Sequence, residues 1–207
     1  MFGASGSISR LLDEGAPVDV FVSADVGFSR RLQESGLVQN DAYAGIAEGR
    51  LVAITSLTVS PEASWQELAT DGRVQFIAIA NPELAPYGHQ ARAVLQQADL
   101  WEQLKPKLVL GETVAQVFQF VASGNADLGF TSQSLLMQNV PAGVTVIPIN
   151  PCDHGGLPQT VAGISNTPQW ELAERFVGFT ISWITPQVLN QYGYDPPLDR
   201  PGTRKCP

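Results

Sequence analysis

The sequence predicts an α/β fold, and three observations carry that prediction. Short apolar, β-branched runs alternate with amphipathic helical stretches along almost the whole chain. The apolar runs are continuous rather than alternating, as in strands covered on both faces. Breaks rich in glycine, proline and asparagine separate them. The 207 residues are 44% hydrophobic, enough for a sizeable core in one domain or two small lobes.

Ser7 to Glu14 places Ile8, Leu11 and Leu12 on one face and predicts a short helix, stopped by Gly15-Ala16-Pro17. Val18 to Val22 predicts a buried strand, and Phe28 to Ser35 a helix ended by Gly36. Leu51 to Thr55 is a second strand, Ser64 to Ala69 a helix led by Trp65, and Gln75 to Ala80 a third strand. Gly88 to Ala98 is a helix whose inner face is Ala91, Val94, Leu95 and Ala98. Leu108 to Leu110 is a short strand. Thr113 to Ser123 is a strong helix, with Val114, Val117, Phe118 and Val121 at helical spacing and Gly124-Asn125 as its end. Strands follow at Leu128 to Thr131, Val144 to Ile149 and Val161 to Ile164. Trp170 to Trp183 is a long amphipathic helix, Gln187 to Tyr192 a final short one, and Pro196 to Pro207 a loose tail. The alternation argues for largely parallel sheets.

The formal net charge of −8 with no basic cluster argues against nucleic acid and anionic membrane surfaces as partners. No apolar run approaches the ~20 residues that span a bilayer. Met1 is followed at once by Phe2-Gly3-Ala4-Ser5-Gly6, with neither a basic nor an apolar leader. Cys152 and Cys206 sit in no CxxC or Cys/His cluster, which argues against zinc and leaves their pairing open.

Three helix starts share one chemistry. They are Gly3-Ala4-Ser5-Gly6-Ser7, Ala85-Pro86-Tyr87-Gly88 and Gly111-Glu112-Thr113-Val114. A helix start presents unpaired N–H groups and about half a positive charge. Glycine permits close approach of the backbone, and Ser, Thr and Tyr add hydroxyl donors. Converging, such starts would surround an anion with neutral donors and need no lysine or arginine. Each also has a plainer reading: Ser5 and Thr113 as helix caps, Tyr87 as a rim aromatic. The Gly-Ala-Ser-Gly-Ser run is neither a P-loop nor a GxGxxG fingerprint.

An enzyme is the main rival. The histidines are His89, in a first helical turn and read as a surface residue, and His154, in the polar segment Cys152-Asp153-His154-Gly155-Gly156. No GxSxG elbow, metal-ligand spacing or base beside a nucleophile is present in the sequence, so the expectation is no enzyme, no catalytic residue and no cofactor. A ligand-sensing regulator would carry a helix-turn-helix segment, which the sequence lacks.

Several segments together resemble a known family. Glu14-Gly15-Ala16-Pro17-Val18-Asp19-Val20-Phe21-Val22-Ser23-Ala24-Asp25 is similar to the GAPxD(V/L)F(I/V)SAD segment of the periplasmic molybdate-binding proteins of ABC transporters. Ser5-Gly6-Ser7 falls at that family's Ser-rich ligand loop. Asn81-Pro82-Glu83 through Gly88 resembles its (D/N)PxxxPxG segment, and Gly111 to Val114 its ligand turn. Gly124 to Phe130 and Tyr192-Gly193-Tyr194 match further segments in register, from about residue 3 to 194.

The resemblance implies a type II periplasmic-binding fold with two α/β lobes and two crossing hinge strands. Lobe one then holds residues 1–48 and 162–207, and lobe two residues 49–161. Leu51 to Thr55 and Val161 to Ile164 become the crossing strands. It implies oxyanion contacts from Ser5 (hydroxyl and amide), Tyr87 (amide and hydroxyl) and the Val114 amide, with Gly6 and Gly88 allowing close approach. The implied ligand is molybdate or tungstate, with no metal beyond that of the oxyanion, and closure over it joins donors from both lobes. Sulfate, thiosulfate or another small anion is the alternative. The implied partner is the membrane permease of an ABC importer, and the implied location of the full-length form is the periplasm, exported or tethered. One branch of the family has a ligand Tyr where Ser132 falls here. The family also begins with a strand, an Ala-Ala-Ser-like loop and a helix ahead of the point where this sequence starts. That reads as a fragment or N-terminally truncated product lacking the first strand and helix of lobe one, with an uncovered sheet edge that favours self-association.

Overall fold

The computed structural model describes residues 1–137 and 140–198, with backbone alone at 40 and 41. In chain order the first elements are α1 (Ser5–Asp13), β1 (Val20–Ser23), α2 (Val26–Glu34), β2 (Val38–Glu48), β3 (Leu51–Thr55), α3 (Trp65–Thr70), β4 (Ile77–Ala80) and α4 (Pro86–Gln97). They continue with α5 (Trp101–Leu104), β5 (Leu108–Gly111), α6 (Val114–Ala122), β6 (Leu128–Ser132), β7 (Thr145–Pro148), β8 (Pro158–Ile164), α7 (Trp170–Trp183) and α8 (Pro186–Gln191). Most of the tail expected to be loose, including Cys206, lies outside the described residues. Cys152 is disulfide-bonded. No described helix is long and apolar enough to cross a membrane.

The chain divides into two compact units. Among the described residues, the first holds 1–49 and 156–198 and the second holds 50–155. In the first unit, β8 is the centre of an antiparallel sheet of order β1-β8-β2. Phe21, Ala162 and Ile164 point to one face, where they pack with Leu12 of α1 and Leu32 of α2. Gly163 points the other way, and a Cβ there would lie 3.4 Å from the ring of Trp170 at the start of α7. Helices therefore cover both faces, α7 packing mainly on β8 and β2.

The second unit is a mixed five-stranded sheet of order β5-β4-β6-β3-β7. β4 runs parallel to β5 and β6, while β3 pairs antiparallel with β6 and β7. Its floor is the fully buried set Leu51, Ile54, Ile77, Ile79, Leu128 and Phe130. The α3 helix begins in a capping box, Ser64 accepting from the Glu67 N–H while Glu67 accepts from the Ser64 N–H.

Three expectations need correction. Parallel pairing is confined to β4 and its two neighbours, and the first unit's sheet is antiparallel. The hinge positions move. Leu51 to Thr55 lies wholly in the second sheet, and Val161 to Ile164 belongs to β8, wholly in the first. The chain passes between units at 49/50 and 155/156 rather than 48/49 and 161/162, because β8 pairs with β2 from Pro158 to Ile164 and with β1 from Thr160 to Gly163, all within the first sheet. Third, β2 was absent from the periodicity. Its register shifts between Val38 and Tyr43 and between Gly45 and Ala47, and such bulges destroy a period-two pattern. A smaller difference concerns β4, which begins at Ile77 rather than Gln75. The Asp127 carboxylate accepts the N–H groups of Gln75 and Phe76 at 2.8 and 2.9 Å, taking them out of the ladder.

Candidate functional site

In the second unit, two of the three helix starts stand at one end of one sheet. β4 and β5 are adjacent and parallel with Ala80 opposite Gly111, and the Asn81 N–H donates to the Gly111 carbonyl at 2.7 Å. Each strand then turns into a helix, α4 after β4 and α6 after β5. The crossover from β4 goes to β5 on one side, and that from β5 returns past β4 to β6 on the other. The carboxyl end of β4 is thus a switch point, where α/β sheets place ligands.

α4 starts without a side-chain cap: Ala85 is the N-cap and Pro86 the first helical residue. The first intrahelical bond runs from His89 N–H to Ala85 C=O at 3.0 Å. Proline has no N–H, so the amides of this turn that lie ahead of the first intrahelical bond are those of Tyr87 and Gly88. Both residues are buried, which removes the rim-aromatic reading of Tyr87. Gly88 has a further reason to be glycine. A Cβ there would lie 2.1 Å from the Ala80 carbonyl oxygen, so the helix start rests directly on the end of β4.

α6 starts differently. The Thr113 hydroxyl accepts from the Gln116 N–H at 3.2 Å, and the Gln116 side-chain carbonyl accepts from the Glu112 N–H at 2.6 Å. Thr113 is therefore the N-cap, leaving Val114 and Ala115 as the open amides. The Thr131 hydroxyl donates to the Val114 carbonyl at 2.9 Å and fixes this turn against β6. Ser132, at the position where a tyrosine contact occurs in one family branch, uses its hydroxyl locally: it accepts from Ser134 N–H at 3.3 Å.

In the first unit, α1 likewise has no side-chain cap at Ala4, so Ser5, Gly6 and Ser7 keep N–H groups without intrahelical partners. Ser5 and Gly6 are buried. The Ser5 hydroxyl accepts the Ala24 N–H at 3.1 Å, which keeps its own hydrogen available as a donor. Ser5 and Gly6 thus form one donor group, and Tyr87, Gly88 and Val114 another in the second unit.

Electrostatics favour an anion at each of these starts. None of α1, α4 and α6 has an acidic residue in its first turn, so the positive end of each helix dipole is not neutralised there. Glu83, ahead of α4, is ion-paired to Arg92 at 2.7 Å. His154 is buried rather than lying in an open polar loop, with Nδ1 2.6 Å from the Gly155 carbonyl. The Gly155 N–H in turn donates to the Gln90 side chain of α4 at 3.0 Å. His89 is exposed, as expected. Among the described residues no cluster of His, Cys, Asp and Glu is placed to hold a metal ion.

Ala24, Ala115, Gln116 and Thr131 are the site residues that sequence reasoning missed. Only the Thr113-x-x-Gln116 spacing was a readable signal, as a capping pattern. The others depend on which strand end meets which helix start.

The chain is 28% identical over 193 residues to the molybdate-binding protein ModA of Rhodobacter capsulatus, covering 93% of this chain and 75% of that one. The structure superposes on the Azotobacter vinelandii periplasmic molybdate-binding protein with a TM-score of 0.85, at 25% identity and over 95% of this chain and 86% of the other. It also superposes on the sulfate-binding protein SubI of Mycobacterium tuberculosis H37Rv with a TM-score of 0.72, at 16% identity and over 93% and 74% of the two chains, a likeness of fold alone. The fold is the mixed α/β, two-sheet architecture of type II periplasmic-binding proteins. Residues 1–195 match the family model described as bacterial extracellular solute-binding protein, and this chain belongs to that family of solute-binding, non-enzymatic proteins.

Proposed function

We propose that this protein binds a tetrahedral oxyanion, molybdate or tungstate, and hands it to the membrane permease of an ABC importer on the outer side of the cytoplasmic membrane. The observation that carries the reading is the set of uncapped or partly capped helix starts whose first turns hold no acid. Ser5 and Gly6 supply amides and one hydroxyl from the first unit. Tyr87, Gly88 and Val114 supply amides from the second. Such a set is all donors. It suits a fully ionised dianion and disfavours phosphate, which at neutral pH retains a proton and requires an acceptor. The likeness to molybdate-binding relatives over most of the chain supports the choice of ligand.

Sulfate is the second reading, favoured by the fold likeness to a sulfate-binding protein and by the fact that neutral donors suit any tetrahedral dianion. Cavity size separates the two, because molybdenum–oxygen bonds are longer than sulfur–oxygen bonds.

Parallel calorimetric titrations with molybdate, tungstate, sulfate and phosphate test both readings. Equal one-to-one binding of molybdate and tungstate, with sulfate weaker and phosphate silent, is expected. Tighter sulfate binding would transfer the assignment to the second reading, and silence with all four would end both.

A further inference from the structure

We infer that Gln116 sets the strength of ligand binding at the α6 turn, as a neutral cap where a carboxylate would serve the helix as well and repel an anion. This role rests on the oxyanion binding proposed above. Every residue concerned belongs to the second unit.

Two helices of that unit begin with a hydroxyl N-cap and a long polar side chain three residues on. In α3 the pair is Ser64 and Glu67. The Ser64 hydroxyl accepts the Glu67 N–H at 3.2 Å, and the Glu67 carboxylate accepts the Ser64 N–H at 3.0 Å and the Ser64 hydroxyl at 2.9 Å. In α6 the pair is Thr113 and Gln116, and the N-cap bond is again 3.2 Å. The return bond differs in two ways. Its acceptor is a neutral amide oxygen, and it reaches one residue further back, to the Glu112 N–H at 2.6 Å. The Thr113 N–H therefore keeps no partner among the described residues and adds to the open amides of Val114 and Ala115.

Helix formation alone does not explain the amide at 116. Gln and Glu differ little in helix propensity, and a carboxylate in the first turn makes the stronger, charge-assisted bond and complements the helix dipole. Glu67 behaves in this way: its bonds to the Ser64 N–H and hydroxyl lower the pKa of its carboxyl. A dianion does explain the choice. A carboxylate folded back over the turn that presents the Val114 amide would set a like charge beside the ligand and cancel the dipole that attracts it. Gln116 fixes the same turn without charge. Glu112 lies ahead of the cap and is exposed, and Gln116 binds its main chain, not its carboxylate. The other tie on this turn, from the Thr131 hydroxyl to the Val114 carbonyl, is neutral too, and α4 has no side-chain cap at all. The unit thus uses a carboxylate cap at α3, outside the donor set, and none at the two donor turns. Gln116 is a positioning residue: it acts through the turn it holds and the charge it withholds.

Calorimetry with molybdate and tungstate, beside urea unfolding, tests this on the full chain and four variants. Gln116→Glu should keep or raise the urea midpoint and bind both oxyanions at least ~10-fold more weakly. Gln116→Ala drops the Glu112 bond without adding charge; it should lower the midpoint and weaken binding by ~5-fold or less. The better-held helix then binds the ligand worse, an inversion that a purely structural cap would not produce. Gln119→Glu places the same charge one turn along on an exposed position of α6, and Glu67→Gln puts the amide into the α3 box. Both should bind within ~2-fold of the unaltered chain, because exposed charges away from the turn are screened. Binding by Gln116→Glu within ~2-fold of an unaltered chain that itself binds would overturn the inference and leave the oxyanion reading standing. A lowered midpoint for Gln116→Glu would make its loss structural, and an equal loss in Gln119→Glu would make it a matter of net charge; either would overturn the inference. An unaltered chain silent toward both oxyanions would overturn the oxyanion reading, and this role with it.

Discussion

Ser5 accepts the Ala24 amide and in doing so aims its own hydroxyl hydrogen away from that bond. Under the proposed function, Ser5→Ala removes one donor to the dianion, and it leaves the Ala24 amide without its acceptor. Calorimetry should record a loss of about 1–3 kcal/mol in oxyanion binding, the scale of a charge-assisted bond left unmade. Tyr87→Phe keeps ring and amide and isolates the hydroxyl; an unchanged affinity there would assign the contact to the amide alone. Gly88→Ala acts on folding instead. Its Cβ would lie 2.1 Å from the Ala80 carbonyl oxygen and 2.6 Å from its carbon, so α4 must shift off the end of β4. Destabilisation of about 1–3 kcal/mol in urea unfolding is expected, with weaker ligand binding because the Tyr87 and Gly88 amides move together. A fully stable Gly88→Ala protein would show that the helix start can yield without cost.

At the scale of elements, the three helix starts differ in how much of their donor set remains open. α6 gives one amide to the Thr113 cap, whereas α1 and α4 have no side-chain cap. Thr113→Ala should cost about 1 kcal/mol of stability and loosen the Val114 turn, visible as a lower urea midpoint. The turn after α3 offers a pH marker. The Arg73 guanidinium and N–H bond the Asp71 carboxyl and hold it near a pKa of about 2. Because that value is depressed below the ordinary carboxylate range, the contribution is complete above about pH 4 and fades as pH falls toward 2. Carboxyl NMR titration should place the Asp71 midpoint well below that of an unpaired aspartate; an ordinary midpoint would mean that the Arg73 contact does not persist in solution. Element identity was legible wherever periodicity was strong. Trp170 to Trp183 is the helix the pattern predicts, and Thr113 already read as a cap. β2 was not legible, since its bulges and its polar Gln39 break the alternation that marks a strand.

For the whole molecule, an oxyanion that binds the folded chain and not the unfolded one stabilises the fold. The thermal midpoint should rise steadily with molybdate concentration, by linkage amounting to ~2.7 kcal/mol at a hundred times Kd. A midpoint insensitive to millimolar molybdate and sulfate alike would remove the oxyanion reading. The α/β class, most element positions and the family itself were determined by the sequence alone, because each rests on local pattern or on motif order along the chain. Only the tertiary structure decided the rest. It set the unit boundaries at 49/50 and 155/156, made one sheet antiparallel, and seated Gly88 on Ala80. The physical reason is that strand pairing and close packing join residues a hundred positions apart, as when Glu48 accepts the Leu157 amide, and no local periodicity encodes which distant partner wins.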